Sequence, residues 1–193
     1  MRNRSAFGTI FIVDISGFSS FVKNISTEEG AMIMPSLFDS ILRANYYSLH
    51  VAEIEGDAIL FYKMGDAFSI ETIFEQFNKM VLSFHSEIDL LKKEFPEISA
   101  LTIKVVVHYG EMSGFKVGGY YKLYGKPLIE AHRLLKNHIN SKTYLLITKS
   151  YYDQNQETII NKGTYRSEVY DIGNIYYTYF AFSSIVYPNM WLA

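Results

Sequence analysis

The sequence predicts an α+β domain in which helices pack on a mostly antiparallel sheet. Two observations favour this class. Short β-branched, apolar segments alternate with helical patterns along the chain, and residues 70–95 follow the 3.6-residue helical period closely. With 193 residues, 49% of them hydrophobic, the chain is long enough to bury a sizeable core. We therefore expect a single domain over residues 1–193, with its core at about 8–182.

The first predicted element is a strand, Gly8–Ile15, whose nearly continuous apolar run indicates burial on both faces. A Ser-Gly break separates it from a short helix, Phe18–Lys23. Pro35 then suits the first turn of a second helix.

The clearest helix is Ile70–Phe95, which Ser69 can cap and which Pro96 forbids to continue. A further helix opens at Pro127 and runs to about Asn137. The remaining strands are predicted at Tyr47–Glu55, Ala58–Tyr62, Leu101–Tyr109, Tyr120–Tyr124, Thr143–Thr148, Tyr165–Asp171 and Tyr176–Phe182. This order describes a sheet with its helices on one side, close to a doubled ferredoxin-like pattern.

Composition excludes several classes of function. The net charge of −2 gives no basic face for nucleic acid, and the absence of cysteine excludes disulfides, thiolate metal sites and a cysteine nucleophile. No apolar run approaches the ~18–20 residues that cross a bilayer. The basic, then apolar, N-terminus is like a signal peptide, but Asp14 interrupts it and no small-residue cleavage site follows. We expect a cytoplasmic protein that binds neither membrane nor nucleic acid.

Two aspartates stand where a chain turns at the end of a strand. Asp14 ends the first strand beside Gly17, where it either holds a hard cation or caps the helix that follows. Asp57 lies at a hairpin tip, where aspartate is common for turn reasons alone. Together, two such aspartates are what a paired Mg²⁺ site for phosphoryl chemistry requires.

A third segment carries Arg133, which we expect on the first turns of a helix that follows a glycine corner. An arginine there either clamps a phosphate or is a solvated, salt-bridged surface residue.

Taken in order, these segments resemble the catalytic domain of class III nucleotidyl cyclases. Asp14-Ile-Ser-Gly-Phe-Ser19 and Glu55-Gly-Asp57-Ala resemble the two metal motifs of that family. His108-Tyr-Gly-Glu111 resembles its His-x-Gly-Glu strand, and the stretch from Gly125 to Arg133 has the spacing of its Asn-x-Ala-x-Arg segment. The resemblance implies the ferredoxin-like cyclase fold, in a divergent bacterial branch of cyclase-like domains.

The resemblance also implies roles for residues. Asp14 and Asp57, supported by the carbonyl of Ile15, would bind Mg²⁺ or Mn²⁺ in a two-metal site, and Arg133 would be catalytic. Gly17 and Phe18 of the first motif would contact the substrate, a purine nucleoside triphosphate.

Two positions depart from the family. The ribose-orienting Asn falls on Ile129, which cannot hydrogen-bond, and the triphosphate-binding Lys falls on Ile172. Lys126 is a candidate replacement for the missing charge.

The base-selecting positions hold Glu53 and Lys122. A carboxylate can accept from N1 and N2 of guanine and an ammonium can donate to O6, so the pair suits guanine better than adenine. Alternatively, the two side chains pair with each other in an unused pocket.

Three functions remain open: a cyclase-like domain that binds nucleotide or only dimerises, an active guanylate or adenylate cyclase, and another metal-dependent phosphoryl enzyme. The retained aspartates argue against complete loss of the nucleotide and metal site. The replacements at Ile129 and Ile172 argue against ordinary catalytic turnover. We therefore favour a signalling domain that binds nucleotide and metal with weak or no turnover. The family also implies a head-to-tail homodimer in which each site is shared between subunits.

Overall fold

A computed structural model describes residues 4–155 and 163–182. The strands are β1 (Ala6–Ser16), β2 (His50–Glu55), β3 (Ala58–Met64), β4 (Thr102–Val117), β5 (Tyr120–Tyr124), β6 (Tyr144–Thr148), β7 (Thr164–Tyr170) and β8 (Gly173–Ala181). The helices are α1 (Phe18–Asn24), α2 (Thr27–Arg43), α3 (Ile70–Leu91), α4 (Lys126–Leu134) and α5 (Lys149–Tyr152), and a 3-10 helix spans Pro96–Ala100.

The strands form one mostly antiparallel sheet in the order β2-β3-β1-β4-β6-β8-β7, and the predicted fold class is confirmed. Among the described strands, β4 and β6 form the parallel pair. The far end of β4 leaves this path and pairs with β5. No helix in the described ranges is both long and apolar enough to cross a membrane.

β1 is buried on both faces, as its apolar run predicts. Phe11 and Val13 join the main core, which α2 and α3 cover, and Ile10 and Ile12 join a second core on the opposite face. Ala131 belongs to that second core, so the expectation of helices on one side is wrong for α4. An apolar second face cannot stay in water, and α4 covers it.

The boundaries of two helices differ from prediction. Pro35 lies inside α2 and does not open it, because a capping box between Ser26 and Glu29 starts the helix earlier. α3 begins after Ser69, whose side chain accepts from the backbone N–H of Thr72. It ends at Leu91 and not at residue 95, since the chain turns ahead of Pro96.

β4 runs further than the predicted strand, through Gly110 and Gly114. A Cβ atom at Gly110 would lie 2.4 Å from Cγ of Pro127, at the start of α4. Gly110 therefore allows a close approach of α4 to the sheet, and it does not mark a turn.

Candidate functional site

Asp14 and Asp57 meet at one end of the sheet. β1 pairs with β3 so that Asp14 lies opposite Ala58, the residue after Asp57. The backbone N–H of Ile15 donates to the carbonyl oxygen of Asp57, with N and O 3.1 Å apart. The turn between β2 and β3 thus brings the carboxyl group of Asp57 within interaction distance of that of Asp14.

The surroundings of Asp14 disfavour its charged form. Only 8% of Asp14 is exposed, and this burial raises the pKa of its carboxyl group to about 6. Lys104 opposes the rise, while the charge and hydrogen bonding of Asp57 add to it. One carboxyl of such a pair is expected to have a raised pKa, and at Asp14 burial contributes more to the rise than Asp57 does.

Lys104 is a site residue that the sequence analysis missed. It lies opposite Asp14 in the pairing of β1 with β4, and its Nζ is 2.8 Å from Oδ2 of Asp14. Burial favours the neutral amine of Lys104, but the hydrogen bond and charge of Asp14 outweigh it and raise the pKa. Nζ also donates over 3.4 Å to the carbonyl of Leu135, just after α4. A lysine inside an otherwise apolar strand was the available signal.

The donor set suits a hard divalent cation. Asp14 and Asp57 supply carboxylate oxygens, which Mg²⁺ and Mn²⁺ prefer. Burial is the largest cause of the raised pKa of Asp14, and a divalent cation bound there would favour the charged form that burial disfavours. Within the described residues, no group of three or more His, Asp or Glu side chains could hold a metal, so further ligands would have to be carbonyl, water or phosphate oxygens.

A second cluster joins Glu53 to Lys122 and His132. Nζ of Lys122 lies 2.6 Å from one carboxylate oxygen of Glu53, and Nε2 of His132 lies 3.6 Å from the other. β2 has a bulge just before Glu53, where the register shifts between Val51 and Glu53. The alternative in which Glu53 and Lys122 pair with each other is therefore the arrangement in this single chain. Hydrogen bonding to Glu53 raises the pKa of Lys122.

These three side chains line a cavity of only about 80 Å³. Pockets that enclose small ligands usually measure roughly 300–1,000 Å³. One chain by itself therefore does not enclose a purine base at this position.

Arg133 lies in the last turn of α4, so the expectation of a place in the first turns is wrong. α4 begins at Lys126 and ends at Leu134, earlier than the predicted end at about Asn137, so Arg133 is its second-last residue. The Nη2 atom of Arg133 is 2.9 Å from Oδ2 of Asp171, at the turn between β7 and β8.

The two departures from the family have different environments. Ile129 is 48% exposed on α4, and Ile172 is partly buried against the second core. Neither side chain can hydrogen-bond. Lys126, the candidate replacement cation, pairs with Glu130 on the same helix at 2.9 Å.

Gly17 and Phe18 lie where β1 turns into α1. Gly17 has a left-handed φ of 91°, which glycine adopts without strain. The Phe18 side chain packs partly against the main core, with its ring 6.2 Å from that of Phe21.

His108 fastens α4 to the sheet, a role that sequence reasoning missed. One ring nitrogen lies 3.1 Å from a carboxylate oxygen of Glu130 and the other 3.0 Å from the hydroxyl of Thr148. The hydrogen bond with His108 lowers the pKa of Glu130. His108 thereby fixes the helix that carries His132 and Arg133.

Comparison with known proteins adds a family and a fold. A family described as "Protein of unknown function (DUF2652)" matches residues 34–144. "Uncharacterized protein Rv2561/Rv2562" of Mycobacterium tuberculosis (strain ATCC 25618 / H37Rv) is 30% identical over 122 residues, which make up 60% of this chain and 57% of that relative.

Solved structures of nucleotidyl cyclases share the fold. The guanylyl cyclase Cya2 superposes with a TM-score of 0.75 at 15% identity, over 92% of this chain and 93% of its own. The adenylyl cyclase CyaB from P. aeruginosa gives 0.63 at 12% identity, over 96% and 100%. The guanylate cyclase domain of RhGC from Catenaria anguillulae, in complex with GTP, gives 0.61 at 15% identity, over 91% and 97%.

Proposed function

We propose that this chain, which belongs to the DUF2652 family of proteins of unknown function, is a divergent nucleotidyl-cyclase-like signalling domain. The residues of its own site support this proposal. The domain binds a purine nucleoside triphosphate together with Mg²⁺ or Mn²⁺, and turns it over weakly or not at all. The observation that carries the proposal is the meeting of Asp14 and Asp57 in a fold shared with nucleotidyl cyclases. Since such nucleotides are cytoplasmic, we place its action in the cytoplasm.

Asp14, Asp57 and the carbonyl of Ile15 are the proposed metal ligands. A divalent cation bound there would neutralise charge on the triphosphate. Gly17 and Phe18 offer backbone beside this position, and Lys104 holds Asp14 in place through its 2.8 Å contact.

Glu53 and Lys122 are the proposed contacts to the base. The ion pair between Glu53 and Lys122 has to open before the carboxylate and the ammonium can reach a purine. Opening it costs little free energy, because the Lys122 side chain is 47% exposed and exposed ion pairs are weak. Once open, the pair offers an acceptor and a donor in the arrangement that suits guanine.

Weak turnover follows from the two replaced residues. Ile129 and Ile172 supply neither the ribose contact nor the phosphate charge of the family. Removing a hydrogen-bond donor that stabilises a transition state typically costs ~10²–10³ in rate, and two such losses leave little activity. Arg133 remains to stabilise developing charge.

The alternative function is an active guanylate or adenylate cyclase that makes a 3′,5′-cyclic nucleotide and pyrophosphate. The retention of Asp14, Asp57 and Arg133 favours it.

One assay separates the two functions. The purified chain is incubated with GTP or ATP and Mn²⁺, nucleotide binding is measured by calorimetry, and cyclic product is quantified by mass spectrometry. We expect binding with little or no cyclic product. Sustained formation of cyclic nucleotide that Asp57→Asn abolishes and Asp153→Asn retains would establish the alternative, and failure of both nucleotides to bind would exclude both functions.

A further inference from the structure

The contact between Arg133 and Asp171 joins α4 to the hairpin of β7 and β8. Tyr170 pairs with Gly173, which leaves Asp171 and Ile172 as the two turn residues. Ile172 packs against the second core, so the turn is anchored beside α4. This anchoring presents the carboxylate of Asp171 to the guanidinium of Arg133, 2.9 Å away.

A guanidinium binds carboxylates and phosphates through the same N–H donors. The carboxylate of Asp171 therefore occupies one N–H donor of Arg133, on Nη2, that an anionic ligand would use. The side chains of Arg133 and Asp171 are 45% and 64% exposed, and ion pairs this exposed are weak enough for a polyphosphate to displace.

We infer that Asp171 is a built-in competitor of the nucleotide: its carboxylate holds an N–H donor of Arg133, on Nη2, that the triphosphate has to take from it to bind there. The inference rests on the proposed function, because it requires Arg133 to face a nucleotide. It assigns to the β7–β8 turn the control of affinity for the triphosphate.

The test measures the dissociation constants of Mn²⁺–GTP and of inorganic tripolyphosphate for the wild-type chain, Asp171→Asn and Glu168→Gln. Glu168 lies on the same hairpin but pairs with His138, so Glu168→Gln removes an equal charge without touching Arg133. We expect Asp171→Asn to bind Mn²⁺–GTP about fivefold more tightly, the upper range for an exposed ion pair, and Glu168→Gln to bind as the wild type does.

Unchanged or weaker binding by Asp171→Asn overturns the competitor role and leaves the proposed function standing. Equal tightening by Glu168→Gln also overturns it, because long-range charge would then explain the gain. If the wild-type chain binds no nucleotide, the proposed function fails. Tripolyphosphate binding by Asp171→Asn, and not by Glu168→Gln, would then still support the competitor, and its absence would overturn it.

Discussion

Asp14 and Lys104 depend on each other, because each is the counter-charge of the other at the edge of the core. Lys104→Met leaves the carboxylate of Asp14, whose side chain is only 11% exposed, without its partner ammonium. We expect a loss of about 1–3 kcal/mol in the free energy of unfolding at pH 7, measured by urea denaturation. The double variant Asp14→Asn/Lys104→Met should recover most of the loss, and Asp153→Asn should change little. A Lys104→Met variant as stable as the wild type would contradict the dependence.

The raised pKa of Asp14 predicts how metal binding depends on pH. Below a pKa of about 6 the cation has to displace a proton from Asp14, so the affinity for Mn²⁺ should fall by about tenfold per pH unit there and level off above pH 7. The raised pKa of Asp14 also sets how the free energy of unfolding depends on pH. The folded state binds this proton more tightly than the unfolded state, in which the pKa of Asp14 is near 3.8. Ionisation of Asp14 therefore costs stability as pH rises from about 4 to 6. Calorimetric Mn²⁺ titrations from pH 5 to 8 measure the first effect, and a flat profile would contradict it.

Among the helices, α2 carries a local conflict. Pro35 lies inside it, exposed to solvent, and lacks the N–H that a helix interior uses. Pro35→Ala should stabilise the protein by about 1–2 kcal/mol in urea denaturation. Ser26→Ala, which removes the capping box at the start of the same helix, should destabilise it by about 1 kcal/mol. Destabilisation by Pro35→Ala would show that the proline ring has a packing role.

The approach of α4 to β4 depends on Gly110. Gly110→Ala places a Cβ atom 2.4 Å from Pro127, and the backbone of Gly110 needs no left-handed conformation. We expect α4 to shift, with a loss of about 1–3 kcal/mol in unfolding free energy and weaker nucleotide binding through Arg133. A Cβ atom at Gly30 in α2 would lie 3.7 Å from Cγ2 of Ile25, an ordinary van der Waals contact, so Gly30→Ala should stabilise the protein by about 0.5–1 kcal/mol. Equal effects of the two variants would contradict a close approach at Gly110.

The sequence predicts best what depends on neighbouring residues. β1 and α3 follow from apolar runs and periodicity, and the positions of Asp14 and Asp57 follow from strand ends. Contacts across the sheet leave no such local pattern. Lys104 faces Asp14 because β1 pairs with β4 in one particular register. α4 covers the second face of the sheet because apolar side chains from several strands come together there only in the folded sheet.

At the scale of the whole molecule, we propose that one chain carries two half-sites. Asp14 and Asp57 would form one, and Glu53, Lys122 and Arg133 would belong to the other. Glu53 and Lys122 line a cavity of about 80 Å³. We propose that a head-to-tail homodimer joins the first half-site of one protomer to the second half-site of its partner.

Complementation tests this assembly. Asp57→Ala and Arg133→Ala chains should each bind Mn²⁺–GTP poorly, and their mixture should regain one intact site per heterodimer. Retained monodispersity of both variants serves as the folding control. Light scattering that shows only monomer at high micromolar concentration, with nucleotide and Mn²⁺ present, would contradict the shared site.

The central claim is that Asp14 and Asp57 hold a divalent cation for a purine nucleotide, and the Mn²⁺ dependence of GTP binding tests it most directly. Calorimetry compares the wild-type chain with Asp57→Asn, each with Mn²⁺ and with EDTA. We predict that Mn²⁺ tightens GTP binding to the wild type by at least about tenfold, and that Asp57→Asn loses this gain while it stays folded. Equal affinity with and without Mn²⁺, or an undiminished gain in Asp57→Asn, would contradict the claim.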